Sequence, residues 1–241
     1  MVDALAAAVL VAAAISLKAP LEDAAQRFAA TSPGEPIAFT FGSSGQLASQ
    51  IEHGAPVDLF VGASPVETER LAIGGHIDLA TRTTLAGNRL VVVVPRGAEP
   101  PEDLADLAAP RFSRIAIGNP RIVPAGRYAR QALVATGIAD AVLSRLVYAE
   151  NAVQIVDLVV RGEVDAAVIY ATDATQGGDA LGPAREIPDR LHAPILCEGA
   201  AVADATSAAR ALAFLRFLAS AAGREIFVKH GFVAPRTAAP R

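Results

Sequence analysis

The sequence is poor in the residues that most often indicate a disulfide framework or a polyanionic partner. Its only cysteine is Cys197, so an intrachain disulfide and a cysteine-rich metal site are both excluded. Its two lysines, Lys18 and Lys229, lie far apart, and the formal net charge is −4. This balance gives no electrostatic reason to expect a nucleic acid or an anionic membrane as a partner.

Sequence motifs of catalysis are also missing. Gly42-Ser43-Ser44-Gly45 is not the G-x-S-x-G elbow of hydrolases, because the second glycine directly follows Ser44. We find no P-loop, no H-E-x-x-H and no G-x-G-x-x-G after a strand. The histidines are scattered without ligand spacing, and we expect surface or capping roles for His53, His76, His192 and His230. The sequence therefore favours a binding protein over an enzyme, with no bound cofactor.

No hydrophobic run is long enough to span a membrane. The run from Ala4 to Ile15 is apolar and is similar to the central region of a secretory signal, but Met1-Val2-Asp3 carries no basic residue. We interpret the run mainly as the first buried strand. If the natural protein is exported, we expect its signal to be removed or missing here. A cytosolic ligand sensor is the alternative.

Short aliphatic runs alternate with helical patterns along the 241 residues. The chain is 52% hydrophobic and 19% charged, which is enough apolar material for one large domain or two lobes. Strands alternating with helices predict an α/β fold with mostly parallel sheets. The predicted strands are Val9–Ala14, Ile37–Phe41, Asp58–Gly62, Leu90–Val94, Ile115–Gly118, Ala166–Tyr170 and Ile195–Cys197.

Small or hydroxyl residues stand where several predicted strands give way to helices. The segments are Ala14–Leu17, Phe41–Leu47, Asn119–Gly126 and Glu150–Val153, and a further strand ends on Tyr170. Helix starts present unpaired N–H groups and the positive end of the helix dipole, and ligands of such sheets bind at the carboxyl ends of strands. Several starts that converge with hydroxyls would bind an anion without a formal positive charge. We therefore predict a binding protein for a small oxyanion.

The order and spacing of these segments resemble one family, the periplasmic molybdate-binding proteins of molybdate ABC transporters. The resemblance runs from about Val11 to Phe232. Its landmarks are Ala13–Leu17, Gly42–Ile51, Gly54–Phe60, Gly87–Val93, Val123–Ala129, Gly162–Tyr170, Glu225–Phe227 and Gly231–Phe232. The chain departs from the family pattern at Ile15, Gly45 and Ala152, where the family often has Ala, Ser and Val.

The resemblance implies a two-lobed type II periplasmic-binding-protein fold with the ligand in the cleft. It assigns residues 1–86 and 194–241 to lobe I and residues 87–193 to lobe II. It also implies an ABC transporter permease as partner, a periplasmic location, a monomer, and lobe closure around molybdate or tungstate. Carried over position by position, the residues that bind the oxyanion are Ser16, Ser44, Ala125, Ala152 and Tyr170.

Simpler roles for these residues stay open at this point. Ser16 and Ser44 are also plausible N-caps, and Tyr170 is also plausible as a core tyrosine. Asp173 could cap the next segment or support the hinge. The same fold could bind sulfate or a small organic acid through Arg127, or use its cleft as a transferase.

The predicted site also makes a prediction about selectivity. It contains N–H and O–H donors and no obligatory acceptor, which suits fully deprotonated molybdate and tungstate. Phosphate is partly protonated at neutral pH, and its proton needs an acceptor such as a carboxylate. No Asp or Glu lies within the proposed ligand motifs, so we expect phosphate to bind less well.

Overall fold

The computed structural model describes residues 8–235. The strands, in chain order β1 to β10, are Val9–Ala14, Ile37–Gly42, Leu59–Gly62, Thr83–Gly87, Leu90–Val93, Ile115–Gly118, Leu146–Ala149, Ala166–Tyr170, Arg185–Glu186 and Leu196–Ala201. The α-helices, α1 to α9, are Lys18–Thr31, Ser44–Glu52, Pro65–Ile73, Pro124–Thr136, Ala139–Val142, Ala152–Val160, Ala171–Gly177, Ala208–Ala219 and Ala221–Lys229. Short 3-10 helices are Ile15–Leu17, Leu79–Thr81, Ala105–Ala108, Leu143–Arg145, Gly178–Ala180 and Asp189–Leu191.

The described chain divides into two compact units. The first unit contains the described residues up to Gly87 together with Leu196–Pro235, and the second unit contains Asn88–Ile195. Each unit is built around its own five-stranded sheet. The predicted lobe boundaries, 1–86 with 194–241 and 87–193, stay predictions.

The sheet of the first unit has the strand order β2-β1-β3-β10-β4. Strands β1, β2 and β3 are parallel, and β10 runs antiparallel to both β3 and β4. Asp58, just before β3, is buried and fixes this arrangement: one carboxylate oxygen accepts a 2.8 Å hydrogen bond from the Leu10 N–H, and the other accepts one of 2.8 Å from the Ser207 N–H. A buried carboxylate needs such partners, so the structural role expected for this residue is confirmed.

The sheet of the second unit has the strand order β7-β6-β8-β5-β9. Here β6, β7 and β8 are parallel, and β5 pairs antiparallel with β8. Strand β6 therefore has parallel neighbours on both sides, as β1 has in the first unit. In both sheets the carboxyl ends of three adjacent parallel strands meet at one edge, which is where α/β proteins place their ligands.

Buried apolar side chains pack each sheet against its helices. In the first unit Phe60 packs in one cluster with residues of α2 and α3, including Leu47 and Leu71. In the second unit Ile169 packs in one cluster with residues of α6, including Ile155 and Val159. Burial of such side chains contributes about 1.5–3 kcal/mol each, which makes these clusters the main source of stability in each unit.

The predicted α/β class and the seven predicted strands are confirmed, and three of the strands match at both ends. The last strand is longer than expected, because it continues from Leu196 to Ala201 through small residues. Three strands were not expected: β4, β7 and β9. Strand β4 contains threonine and glycine, and β9 is a pair of charged residues, so neither shows an apolar pattern. Strand β7 is apolar but only four residues long and mostly not buried. Residues 4–7 of the apolar N-terminal run lie outside the described residues.

Within residues 8–235 no helix is both long and apolar enough to cross a membrane. The same residues contain no group of three or more His, Cys, Asp or Glu side chains placed to hold a metal ion.

Candidate functional site

The two predicted serines of the first unit follow neighbouring strands at the same distance. Ala14 ends β1 and pairs with Gly42, which ends β2. Ser16 lies two residues beyond Ala14, and Ser44 lies two residues beyond Gly42. Because the strands are parallel and adjacent, both serines lie at the carboxyl edge of the sheet. The structure thus brings this part of the predicted site together within one unit.

Ser16 lies in the 3-10 helix that joins β1 to α1. Its exposure is 6%, and among the described residues its hydroxyl has no hydrogen-bond partner. It is not an N-cap by side chain, because no capping hydrogen bond is present at the start of this helix or of α1. The Ser16 Oγ is not one of the fully buried atoms that lack a partner, so it reaches solvent and its hydroxyl hydrogen is available to a ligand.

Ser44 is the first residue of α2 and is fully buried. Its Oγ accepts a 3.1 Å hydrogen bond from the Ala63 N–H, just after β3. The cap itself is Ser43, whose hydroxyl donates to Gln46 Oε1 at 2.8 Å. The N-cap interpretation of Ser44 is therefore wrong by one residue. With a lone pair occupied by Ala63, the Ser44 hydroxyl hydrogen remains as a donor.

A third helix starts at the same edge of the first sheet. Ser64 caps α3: its Oγ accepts a 3.1 Å hydrogen bond from the Val66 N–H and donates to Glu67 Oε2 at 3.1 Å. Both Ser64 and Glu67 are buried. This pair satisfies itself locally in a capping box, so the hydroxyl of Ser64 is already engaged.

In the second unit Ala125 is the second residue of α4, after Pro124 at the first position. Its side chain is buried, and no described backbone carbonyl accepts its N–H, as is usual in a first helical turn. The helix start packs tightly against the end of β6. A Cβ on Gly126 would lie 1.9 Å from the Gly118 carbonyl oxygen. Only glycine fits at position 126, and this close approach places the N–H of Ala125 at the carboxyl edge of the sheet.

Ala152 opens α6 directly after its cap, Asn151. Asn151 Oδ1 accepts a 3.0 Å hydrogen bond from the Gln154 N–H, and Gln154 Oε1 accepts one of 2.7 Å from the Glu150 N–H. The predicted cap and helix start are confirmed. The Ala152 N–H has no acceptor in the described backbone. Its buried methyl group carries no chemical function, so any ligand contact there comes from the N–H.

Tyr170 is the last residue of β8 and is 2% exposed. Its ring lies 6.4 Å from that of Tyr128, on α4, at an angle of 52°. Strand β8 is parallel to β6, so Tyr170 lies at the same edge of the sheet as the start of α4, which contains Ala125. The three predicted residues of the second unit thus lie at or just after the carboxyl ends of its three parallel strands.

Asp173, in the first turn after Tyr170, is buried. Burial raises the pKa of its carboxyl to about 7, opposed by a hydrogen bond with the backbone of Tyr170. Its Oδ2 has no hydrogen-bond partner among the described residues. Asp173 lies inside the first turn of α7, after the N-cap residue Tyr170, so its capping role stays a prediction. Its burial adds a cost that its position in the sequence did not indicate.

Sequence reasoning missed two features of the site. One is the Ala63 N–H, a backbone group without a side-chain signal. The other is the polar residue three positions after each N-cap, Gln46 and Gln154, which hydrogen-bonds back toward the cap. The pattern Ser or Asn, then Gln three residues later, was a readable signal for these caps.

The comparisons with known proteins agree with this architecture. A family model described as bacterial extracellular solute-binding protein matches residues 9–233. The molybdate-binding protein ModA of Escherichia coli (strain K12) is 34% identical over 229 residues, which are 93% of this chain and 88% of that protein. ModA of Haemophilus influenzae is 32% identical over 235 residues, 96% and 92% of the two chains.

Solved structures give the same result at the level of the fold. The periplasmic molybdate-binding protein of Azotobacter vinelandii has a TM-score of 0.86 at 25% identity, over 95% of this chain and 100% of that one. The sulfate-binding protein SubI of Mycobacterium tuberculosis has a TM-score of 0.81 at 18% identity, over 94% and 86%. The resemblance seen in the sequence is confirmed: the chain belongs to the bacterial extracellular solute-binding protein family.

Proposed function

We propose that this chain binds molybdate, and tungstate with it, as the substrate-binding component of an ABC importer. The observation that carries the proposal is the pair of buried serine residues at adjacent strand ends. Within residues 8–235 the Ser16 hydroxyl has no partner, and the Ser44 hydroxyl is held by Ala63 with its hydrogen available. The two curated relatives described above, both named molybdate-binding proteins, support the choice of anion. In this role the chain carries out no chemistry on its ligand.

Ser16, Ser44 and Tyr170 would donate hydroxyl hydrogens to the anion, and Ala125 and Ala152 would donate backbone N–H groups. Hydrogen bonds to a charged group contribute about 1.5–3 kcal/mol each, so five such donors are sufficient for tight binding without a lysine or arginine. Because the donors belong to both units, we propose that binding favours a closed state, which a membrane permease in the periplasm would recognise.

The donors also set the expected selectivity. The five groups offer hydrogens only, so an anion that carries a proton loses an interaction that molybdate and tungstate keep. We expect little discrimination between molybdate and tungstate. In a competition titration against bound molybdate at pH 7.5, tungstate should displace it readily and phosphate poorly. Phosphate that competes as well as tungstate would remove the argument from donor chemistry.

The second candidate is binding of a small organic acid through Arg127. In the structure the Arg127 guanidinium donates to the Pro120 carbonyl oxygen at 3.4 Å, so it already has a role in the loop before α4. Arg127→Ala separates the two functions. Unchanged molybdate affinity supports the oxyanion site, whereas a protein that ignores molybdate and loses acetate or citrate binding on this substitution belongs to the organic-acid class.

A further inference from the structure

Three of the helices that start at the carboxyl edges share one capping pattern. Each has a polar N-cap and, three residues later, a side chain that bonds back past the helix start. Gln46 bonds to Ser43 and Glu67 to Ser64, which are the caps themselves, and Gln154 bonds to the Glu150 N–H, one residue before its cap Asn151. The third residue is a neutral glutamine in α2 and α6, which carry the predicted ligand residues Ser44 and Ala152. It is an acidic glutamate in α3, which carries none.

Hydrogen bonding alone does not require the neutral residue. Gln46 uses only its Oε1, which accepts from the Ser43 hydroxyl at 2.8 Å and the Ser43 N–H at 3.4 Å. Gln154 likewise uses Oε1, which accepts from the Glu150 N–H at 2.7 Å. A glutamate carboxylate accepts the same bonds, and its charge is favourable at the positive end of a helix. Helices α2 and α6 therefore lack the favourable interaction between a negative side chain and the helix dipole that Glu67 provides in α3.

A bound dianion accounts for this choice. A carboxylate one turn from an oxyanion at a helix start would repel it, whereas an amide makes the same cap without a charge. A ligand near the start of α2 is indicated independently by Ser16 at the end of the neighbouring strand, because this residue is more than nine-tenths buried while its hydroxyl stays accessible and has no partner among residues 8–235.

We propose that Gln46 and Gln154 determine anion affinity by capping α2 and α6 without adding negative charge beside the ligand. The inference rests on the proposed function and extends it to two residues that do not themselves bind the anion. Gln46 is half-buried and Gln154 is exposed, so solvent screens a charge less well at Gln46. Glu150, beside the second cap, is also exposed, and its charge is already in place there.

The α7 start fits the same account. Asp173 stands three residues after Tyr170, at the equivalent position. The predicted donor at that start is the phenol at the end of the Tyr170 ring, and not the first N–H groups of a helix. The Asp173 carboxyl is therefore not placed next to a backbone N–H donor of the anion, as a carboxylate at position 46 or 154 would be.

The test is to introduce a carboxylate at each cap and titrate with sodium molybdate. Gln46→Glu should weaken molybdate binding on the order of tenfold, and Gln154→Glu roughly threefold, at low salt and pH 8. The control is Gln50→Glu, which adds the same charge to an exposed position one turn further along α2. It should change affinity by less than about twofold. Without ligand, both cap variants should unfold at or above the wild-type temperature, because the cap is kept.

Two further readouts distinguish repulsion from a structural defect. The losses in both cap variants should shrink in 0.5 M sodium chloride, and the exposed Gln154→Glu should recover more fully than the half-buried Gln46→Glu. Equal affinities for Gln46→Glu and Gln50→Glu, or a loss that accompanies a lower unfolding temperature and does not change with salt, overturn the inference while wild-type binding stands. A wild-type protein that binds no molybdate overturns the proposed function and this inference together.

Discussion

The two units have the same sheet topology but present different chemistry at the carboxyl edge. In the first unit the predicted ligand groups are side-chain hydroxyls, Ser16 and Ser44. In the second they are mostly backbone N–H groups at Ala125 and Ala152, with one phenol. Hydroxyl donors can be removed by truncating a side chain, whereas backbone donors survive any substitution that keeps the N–H. The two units should therefore differ in which mutations abolish binding.

The largest effect is expected from the serines. Ser44→Ala should weaken molybdate binding about 10- to 100-fold through loss of a hydroxyl donor to a charged ligand. It should also destabilise the ligand-free protein by about 1–3 kcal/mol, because the buried Ala63 N–H loses its acceptor. Isothermal titration and urea unfolding measure the two effects separately.

Ser16→Ala is the matched variant for that comparison. Its hydroxyl has no partner among the described residues, so the substitution should lower molybdate affinity by a similar factor while leaving the free energy of unfolding of the ligand-free protein unchanged. If both substitutions lowered the free energy of unfolding equally, the hydrogen bond from Ala63 to Ser44 would not contribute to stability as expected.

A smaller but more specific effect is expected from Ala152→Pro. Proline removes the N–H and is well tolerated at the first position of a helix, and Asn151 before it already has the extended backbone that proline requires. Molybdate affinity should fall about tenfold with little change in unfolding temperature. Ala152→Val, which keeps the N–H, should bind far better than the proline variant.

The control for this substitution is Ala221→Pro, at the first position of α9. Ser220 before it is also extended, and Ala221 itself is exposed. It should leave molybdate affinity unchanged. Loss of binding in both proline variants would mean that proline acts on the fold rather than on a donor.

The last prediction concerns protein stability and Asp173, which is not one of the predicted donors. Its pKa is raised from 3.8 to about 7 by burial, so the unfolded chain ionises before the folded protein does. The contribution of this carboxyl to stability is full below pH 4 and is lost as the pH rises toward 7. Asp173→Asn should therefore gain about 1–3 kcal/mol relative to the wild type at pH 8 and nothing at pH 4. A constant difference across this range in urea unfolding would contradict the assignment.

The sequence predicted features that depend on side chains better than features that depend on backbone N–H groups. The buried strands and the helix stops at Gly54, Gly137 and Gly162 were readable, because aliphatic runs and positive backbone φ angles leave a compositional signal. Ser16 and Ser44 were readable as hydroxyls at strand ends. Ala125 and Ala152 were assigned only through the family resemblance, since an alanine says nothing about its N–H.

Other features depended on contacts between residues distant in sequence. Asp58 is held by Leu10 and Ser207, and Ser44 is oriented by Ala63, which local patterns could not reveal. Strand β4 was missed because its threonines and glycine give no apolar pattern, and β7 was missed because its apolar run is only four residues long. The five-residue ligand set stays a prediction until it is tested by binding.

The most direct test of the central claim is a thermal-unfolding scan of the wild-type protein with molybdate, tungstate, sulfate, phosphate or no addition. At a free ligand concentration of about 100 times the dissociation constant, binding stabilises the folded state by about 2.7 kcal/mol, a shift of about 5–11 °C for a chain of this size. The account predicts this shift with molybdate and tungstate and a much smaller one with phosphate. A folded, ligand-free protein that shows no shift with molybdate would contradict it.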